Sequence, residues 1–299
     1  MIGSARARLA GSVTDGTLQS ITIVVASKDR ASDFARLLAS IRAQPTQADR
    51  VIVVDQSALP YDITLEPNLL HHYDPTIRGL TNARNVAIEM LETDIVLFLD
   101  DDAEFKTDVV AGLRKAFAAK PGAIGFQCVV KTPAERILVE TPGIGNQLWR
   151  RWEDIFYRGF FDNRLGAIND EGELARVHGC AMSFRTTLFE HERFDSNLVE
   201  YSYGEDFEFS KRAVRHGKLY LADSAHVVHH ESPANRLKQR RLIIQRWRNM
   251  LYFYEKLPEE RTPLDPFWRL WWMLGEAIVW LKKGYGLPTD RAPNGPAKR

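Results

Sequence analysis

The sequence predicts an α/β protein in which a mostly parallel central sheet is flanked by helices and followed by a C-terminal helical extension. Two observations predict this class. Short apolar runs rich in β-branched residues alternate with segments of helical periodicity, and the connections between them are short. This pattern is typical of parallel sheets covered on both faces. Polar clusters also follow three of the apolar runs, where such sheets bind ligands.

The predicted elements follow one another from residue 21 to residue 130. The run ITIVVA opens the series as a buried strand. In the next segment Phe34, Leu37 and Ile41 recur at the spacing of one helical face. The same alternation then continues along the chain. It predicts strands at 21–26, 51–54, 69–73, 95–99 and 124–130, and helices at 32–43, 80–91 and 107–119.

The composition excludes several classes of protein. Lys and Arg number 40 against 39 for Asp and Glu, whereas a general nucleic-acid-binding protein would carry a marked basic excess. Cys128 and Cys180 lie in apolar surroundings, and we expect buried thiols in a reducing compartment. The sequence shows no secretory signal and no apolar run of about 18 residues. We therefore expect a cytoplasmic protein.

Three consecutive carboxylates, Asp100–Asp102, follow the apolar strand IVLFL. Adjacent anions repel one another, so clustering them costs free energy unless a cation compensates. Mg²⁺ and Mn²⁺ are bound through one or two carboxylates together with phosphate oxygens. In an extended segment Asp100 and Asp102 would point to one side and Asp101 to the other. The alternative is a solvated acidic turn near a helix start, but the buried strand before it favours a metal site.

A second acidic pair, Glu205–Asp206, follows Gly204 at the start of a helical pattern. A carboxylate held beside an acceptor hydroxyl can remove its proton during attack. The alternative is that both acids only favour the first helical turn, where the helix dipole stabilises anions.

The segment AHVVHH at 225–230 predicts a short strand with three histidines, His226, His229 and His230. They cannot all serve one ion from a straight strand, because alternate side chains point to opposite faces. His226 or His229 could complete a divalent site begun by Asp102. Structural histidines are the alternative for at least two of the three. A zinc hydrolase site is disfavoured because the HExxH pattern is absent.

The segment RGLTNARN places polar groups before a predicted helix, at Arg78, Gly79, Asn82 and Asn85. Such groups suit a ribose or a phosphate. Neither a P-loop nor a GxGxxG pattern is present. The polar residues Ser27, Asp29, Arg30 and Asp55 follow the first two strands and are further candidates for binding a nucleotide. Helix capping and strand ends are the alternatives.

The C-terminal region combines a basic helix with tryptophans. Six basic residues lie between 236 and 248, and four of the seven tryptophans lie in 267–280. Tryptophan favours membrane interfaces, and basic residues attract anionic headgroups. We expect 236–283 either to contact a membrane surface or to pack on the domain or on a second copy of the chain.

In this order the motifs resemble family 2 glycosyltransferases of the GT-A fold. The resemblance covers about residues 20–255 and rests on ITIVVASKDR, VVDQS, GLTNARNVAI, FLDDDAEF, HGCAMSFR, YGEDFEFSKR and RNMLYFYEK. It implies that Asp55 contacts the nucleobase, while Asp100, Asp101 and Asp102 lie around the diphosphate and a Mn²⁺ or Mg²⁺ ion. It also implies Asp206 as the general base with Glu205 beside it, and His226 or His229 as the third metal ligand.

The resulting domain prediction divides the chain into a flexible N-terminus at 1–20, a GT-A catalytic domain at 21–232, C-terminal helices at 233–283 and a disordered tail at 284–299. Within the catalytic domain, 21–130 is the nucleotide half and 131–232 the acceptor half. Irregular, aromatic-rich sequence from about 142 predicts a lobe at the rim of the site.

The predicted function is inverting transfer of a sugar from a nucleotide diphosphate sugar to an acceptor hydroxyl in polysaccharide or glycolipid synthesis. We expect a UDP-sugar before a dTDP- or GDP-sugar, and a glycan or lipid-linked acceptor. We expect no nucleic-acid partner, and self-association stays open. The alternatives are a non-catalytic nucleotide-sugar-binding subunit and a sugar nucleotidyltransferase. The second would need a glycine-rich loop after the first strand, and SKDR lacks the glycines.

Overall fold

A computed structural model describes residues 19–133, 172–198, 202–233 and 239–257, with isolated positions between 263 and 274. The predicted flexible N-terminus, the aromatic-rich rim after residue 142 and the C-terminal tail lie largely or wholly outside these residues. The predicted domain boundaries stay a prediction.

A single mixed sheet of nine strands forms the centre of the described chain. Its strands run in the order β3-β2-β1-β4-β8-β6-β9-β5, and β7 pairs with β9. The strands are β1 Ile21–Ser27, β2 Arg50–Asp55, β3 Leu69–Tyr73, β4 Ile95–Asp100, β5 Ala103–Phe105, β6 Ala123–Lys131, β7 Glu173–Leu174, β8 Ala181–Arg185 and β9 Lys218–His229.

The first half of the sheet is parallel, as predicted. Every residue of β1 is buried, and so are nearly all residues of β2 and β4. Both faces of these strands are therefore covered. The register aligns Ser27 with Asp55 and Ala26 with Asp100. The polar residues that end these strands are therefore brought to one edge of the sheet.

The second half of the sheet differs from the predicted mostly parallel arrangement. β8 lies antiparallel between β4 and β6, and β5 and β7 lie antiparallel to β9. β9 is also twelve residues long, whereas the sequence predicted a strand only at 225–230. Exposed Asp223 and Ser224 interrupt its apolar pattern, beside a register shift in the β6–β9 pairing. Because of this interruption, the hydrophobic periodicity does not predict the full length of the strand.

The helices cover both faces of the sheet. They are α1 Ala31–Arg42, α2 Leu80–Ile88, α3 Val109–Ala119, α4 Glu205–Ala213 and α5 Gln239–Lys256, with a 3-10 turn at Thr186–Glu190. Side chains alternate along β1, so Ile23 and Val25 belong to one core while Val24 and Ala26 belong to the other. Burial on both faces explains why this strand is apolar without interruption.

Helix α5 packs behind the start of α4. Met250 and Phe253 form a small core with Leu198 and Phe207. The side chain of Asn249 donates a hydrogen bond to the Tyr203 carbonyl at 2.9 Å. Packing on the domain, one of the alternatives considered for this region, therefore holds for the described part of α5. No helix within the described residues is both long and apolar enough to cross a membrane.

Candidate active site

A cleft of about 730 Å³ opens at the carboxyl ends of β1 and β4 and at the start of α4. The acidic turn and the acidic pair predicted from the sequence both line it. Its lining is made of Ala26, Ser27, Lys28, Arg30, Gln56, Arg78, Gly79, Leu80, Asp100–Asp102, Arg176, His178–Cys180, Ser202–Asp206, His229 and Glu231. A smaller cavity of about 490 Å³ lies at the opposite, amino-terminal ends of the strands.

Within the acidic turn, Asp101 is directed toward β1 and the start of α1. Its carboxylate accepts hydrogen bonds from the Ser27 hydroxyl at 2.6 Å and from Arg30 Nη1 at 2.7 Å. Burial raises the pKa of Asp101 to about 6, against the opposing effect of these two donors. Asp101 therefore joins the turn to the first loop.

Asp102 is directed toward β9 instead. Its Oδ1 lies 3.0 Å from His229 Nε2, and its Oδ2 accepts a hydrogen bond from the Ser232 amide at 2.8 Å. Burial opposes its ionisation, but His229 and the Ser232 amide lower the pKa of Asp102 to about 2. The same His229 nitrogen lies 3.8 Å from Asp100 Oδ2. The His229 imidazole thus lies within 4 Å of two carboxylates of the acidic turn.

These three side chains fit a divalent cation, because carboxylate oxygens and a neutral imidazole are ligands for Mn²⁺ and related ions. Among the described residues, the set whose ligand atoms all lie within 4.8 Å of one another is Asp100, Cys180 and His229, which shares two members with this one. We favour Asp102 over Cys180 as the third ligand. Burial and the neighbouring carboxylates raise the pKa of the Cys180 thiol well above its usual range, and only a thiolate binds metal well.

Arg84 on α2 joins the acidic turn to the acidic pair. It is almost fully buried, with 1% of its surface exposed. Its Nη1 donates to Glu205 Oε1 at 2.8 Å, and its Nη2 donates to the Gly179 carbonyl at 2.9 Å and lies 3.4 Å from Asp100 Oδ1. The guanidinium also lies 5.3 Å from the centre of the Phe194 ring. One buried cation therefore fixes the separation of the two predicted motifs.

Asp206 occupies the first turn of α4. Gly204 precedes the helix with φ at 83°, a conformation that favours glycine. The Asp206 carboxylate accepts hydrogen bonds from the amides of Gly179 at 3.0 Å and Phe207 at 2.8 Å. Burial alone would raise the pKa of Asp206, but the charge of Arg176 and these two amides outweigh burial. The pKa is therefore lowered, and the carboxylate stays ionised. Burial and the adjacent Asp206 charge act on Glu205 in the opposite direction and raise its pKa.

The structure brings most of the predicted residues to the cleft but not all of them. Those lining it are Ser27, Arg30, Arg78, Gly79, Asp100–Asp102, Glu205, Asp206 and His229. Five predicted residues are absent from its lining. These are Asp29, Asp55, Asn82, Asn85 and His226.

Local hydrogen bonds account for several of these placements. Asp55 is fully buried, and its carboxylate accepts the amides of Ser57 at 2.9 Å and Tyr61 at 2.8 Å. The Asn85 side chain bonds both the carbonyl and the amide of Phe194. His226 Nε2 lies 2.7 Å from the Asp223 carbonyl. These groups hold loops and strands around the cleft.

The remaining two placements have similar causes. Asp29 accepts a hydrogen bond from the Ala58 amide at 2.9 Å. Asn82 donates to the Arg78 carbonyl at 2.6 Å, one turn back along the chain. Both side chains therefore stabilise the loops in which the cleft residues lie.

Several residues of the site were missed in the sequence, among them the charged or titratable side chains of Arg84, Arg176 and His178. A signal for Arg84 exists, because it shares the buried face of α2 with Thr81, Ala87 and Ile88. An arginine at a buried helical position requires an anionic partner. For Arg176 and His178 no comparable signal exists, because both lie in an irregular segment after the two-residue strand β7.

The comparisons with known proteins agree with this geometry. The family model described as Glycosyl transferase family 2 matches residues 22–192. A teichoic acid poly(glycerol phosphate) polymerase from Staphylococcus epidermidis is 25% identical over 194 residues, which are 62% of this chain and 25% of that protein. The chain thus spans about a quarter of the length of this curated relative.

Two solved structures share the fold at low sequence identity. The mannosyltransferase PcManGT from Pyrobaculum calidifontis, in complex with GDP-Man and Mn²⁺, superposes with a TM-score of 0.57 at 15% identity, over 92% of this chain and 77% of that one. GalNAc-T7 with UDP, GalNAc and Mn²⁺ superposes with a TM-score of 0.55 at 14% identity, over 92% of this chain and 59% of that one. The predicted GT-A fold is therefore confirmed. With a family match over more than half of its length, the chain belongs to glycosyl transferase family 2.

Proposed function

We propose that the chain is an inverting glycosyltransferase that moves a sugar from a nucleotide diphosphate sugar to an acceptor hydroxyl. The proposal rests on one observation. Asp100, Asp102 and His229 line the same cleft as Asp206, and buried Arg84 ties the two groups together. A metal-dependent transferase needs this proximity, because the leaving diphosphate and the attacking hydroxyl lie on opposite sides of one anomeric carbon.

On the donor side, Asp100, Asp102 and His229 would hold a divalent cation, Mn²⁺ or Mg²⁺. When bound, such an ion offsets the charge that develops on the leaving diphosphate. Arg30 is held beside the turn by Asp101 at 2.7 Å and lies 3.7 Å from Asp102. It keeps the carboxylates of the turn together and leaves its cationic surface near the expected phosphates. Arg78 at the cleft rim supplies a second cation.

On the acceptor side, Asp206 accepts the proton of the attacking hydroxyl. Its carboxylate is oriented by the Gly179 and Phe207 amides and remains ionised because its pKa is lowered. Glu205 takes a different role, because Arg84 holds one of its oxygens at 2.8 Å. A base that acts on the nucleophile and never bonds to the sugar leads to a single displacement. The anomeric configuration is then inverted.

The relatives support a role in cell-envelope polymer synthesis. One named relative is a teichoic acid polymerase, and the two superposed structures contain GDP-Man and UDP. We favour a UDP-sugar as the donor, with dTDP- and GDP-sugars as alternatives, and a glycan or lipid-linked acceptor. Synthesis of such polymers would place the protein in the cytoplasm or at the inner face of the membrane.

The test is release of nucleotide diphosphate from UDP-, dTDP- and GDP-sugars with Mn²⁺, in wild type and in Asp206→Asn. We expect at least one donor to be turned over when a hydroxyl acceptor is present. Loss of the base should lower the transfer rate by about 10²- to 10⁴-fold while nucleotide binding persists. Asp223→Asn, an exposed substitution on β9, is the matched control.

Two outcomes would contradict the proposal. Full activity of Asp206→Asn would remove this carboxylate from the mechanism. Nucleotide binding without release from any donor would indicate a non-catalytic nucleotide-sugar-binding subunit instead.

A further inference from the structure

Arg176 is a cation of the cleft that helps to keep the Asp206 carboxylate ionised, but the proposed reaction gives it no substrate group to bind. It lies just before buried Val177, and its side chain is half-buried in the wall of the cleft. The guanidinium lies 5.7 Å from the centre of the Phe207 ring. Its Nε is buried and makes no hydrogen bond, and Arg176 forms no ion pair with any residue that the structure describes.

A second guanidinium approaches the same part of the cleft from α5. Arg246 lies 5.7 Å from the centre of the Tyr203 ring, and Tyr203 lines the cleft. The Asn249 side chain fixes this arrangement by donating to the Tyr203 carbonyl. Burial lowers the pKa of Arg176, the Asp206 carboxylate acts against burial, and the charge of Arg246 acts in the same direction as burial.

Arg176 lines the cleft, and Arg246 on α5 adds positive charge nearby, so an anion bound at Arg176 would be stabilised. Guanidinium groups bind phosphate oxygens through paired, charge-assisted hydrogen bonds. The position also indicates which substrate would carry the anion. The titratable side chains that act on the pKa of Arg176 are Asp206, Tyr203 and Arg246, and none of them belongs to the donor-side strands β1–β4. An anion bound here would lie next to the proposed base.

We propose that Arg176, supported by Arg246, binds a phosphate ester carried by the acceptor, whose hydroxyl then lies beside the Asp206 carboxylate. The acceptor class is therefore a phosphorylated alcohol or glycan. This inference rests on the proposed function for its meaning, but the phosphate site can be measured separately. The phosphate ester could belong to a soluble alcohol phosphate or to a lipid phosphate, since both can present a terminal phosphate group.

The experiment is a calorimetric titration with glycerol 1-phosphate, with glycerol as the neutral matched probe. Saturating UDP and Mn²⁺ occupy the donor side, so that phosphate does not bind there. We expect glycerol 1-phosphate to bind wild type and glycerol not to bind. Arg176→Gln should weaken phosphate binding by about tenfold or more, as loss of a charged hydrogen bond implies. Arg248→Gln, an exposed arginine of α5, should leave it unchanged.

Further arms keep the outcome decisive. Arg176→Lys retains the charge and should bind phosphate between wild type and Arg176→Gln, and it replaces the Gln variant if that one does not fold. Farnesyl phosphate in detergent separates the sources: binding of this probe alone indicates a lipid phosphate, whereas binding of glycerol 1-phosphate, with or without farnesyl phosphate, indicates that a soluble alcohol phosphate suffices. Either result supports the phosphate site.

Failure of the site and failure of the proposed function can be told apart. Titrations are repeated without nucleotide, and UDP binding is measured on each variant. If wild type binds UDP with Mn²⁺ but binds neither phosphate probe, the inference is overturned and the proposed function stands. Equal phosphate affinity in wild type and Arg176→Gln also overturns it. If no nucleotide binds, the proposed function fails, and the nucleotide-free titrations still decide the phosphate site.

Discussion

Replacing Arg84 with methionine removes the cation that joins the two acidic motifs. The substitution keeps an unbranched apolar stem of similar length but leaves Glu205 and Asp100 without their shared partner. Arg84 is 1% exposed and makes hydrogen bonds of 2.8 Å and 2.9 Å to Glu205 and to the Gly179 carbonyl. The Glu205 side chain that would be left without this partner is also largely buried.

Removing one partner of a buried ion pair costs about 3–5 kcal/mol when the other group stays charged. Because the pKa of Glu205 is raised, Glu205 can take up a proton once Arg84 is gone, and we expect a loss toward the lower end of this range near neutral pH. For a domain of this size, that loss lowers the thermal midpoint by roughly 6–20 °C, at about 2–4 °C per kcal/mol. The additional loss of the contact with Phe194, 5.3 Å from the guanidinium, acts in the same direction.

The assay is urea unfolding of Arg84→Met, of Glu205→Gln and of the double variant. We expect the double variant to be more stable than Arg84→Met, because the uncompensated carboxylate is gone. An Arg84→Met protein within about 1 kcal/mol of wild type would refute the assignment of Arg84 as a buried ion-pair partner, since such a loss is typical of ordinary substitutions.

Two further outcomes concern the histidines of β9 and the attachment of α5. His229→Ala should weaken Mn²⁺ binding by at least about tenfold in calorimetry, whereas His226→Ala should not, and equal effects would contradict the ligand set. Burial alone would raise the pKa of Asp195, but hydrogen bonds from Lys256 at 2.6 Å and from Tyr252 at 2.7 Å outweigh burial, so the pKa is lowered. A carboxylate with a lowered folded-state pKa stabilises the fold above its unfolded pKa of about 4, and this contribution is lost as the pH falls through the folded value. The unfolding free energy of Asp195→Asn should therefore fall less steeply than that of wild type below about pH 4, and parallel curves would contradict this role.

The elements that carry the site were predictable where a local signal was strong. The run IVLFL forms a buried strand and is followed by its acidic turn, and Glu205 and Asp206 open a helix after a glycine. Both features depend on residues that are neighbours in sequence. The alignment of β1, β2 and β4 then follows from the rule that parallel strands present their carboxyl ends together.

The remaining features depend on contacts between distant parts of the chain. Which of His226 and His229 lines the cleft follows from the register of β9 against β5 and β6, which a single sequence does not specify. An amide such as Asn85 looks the same in sequence whether it binds a ligand or, as here, the Phe194 backbone. Arg84 reaches Glu205 across 121 positions of sequence. Only the folded chain brings that pair together.

The central claim is that the acidic turn binds a nucleotide diphosphate through a divalent cation. Calorimetric titration of UDP, GDP and dTDP in Mn²⁺ and in EDTA, with wild type and Asp102→Asn, measures this directly. We predict that at least one nucleotide binds in Mn²⁺ and that its affinity falls by about tenfold or more in EDTA and in the variant. An affinity that is the same in Mn²⁺ and EDTA, or unaffected by Asp102→Asn, would contradict it.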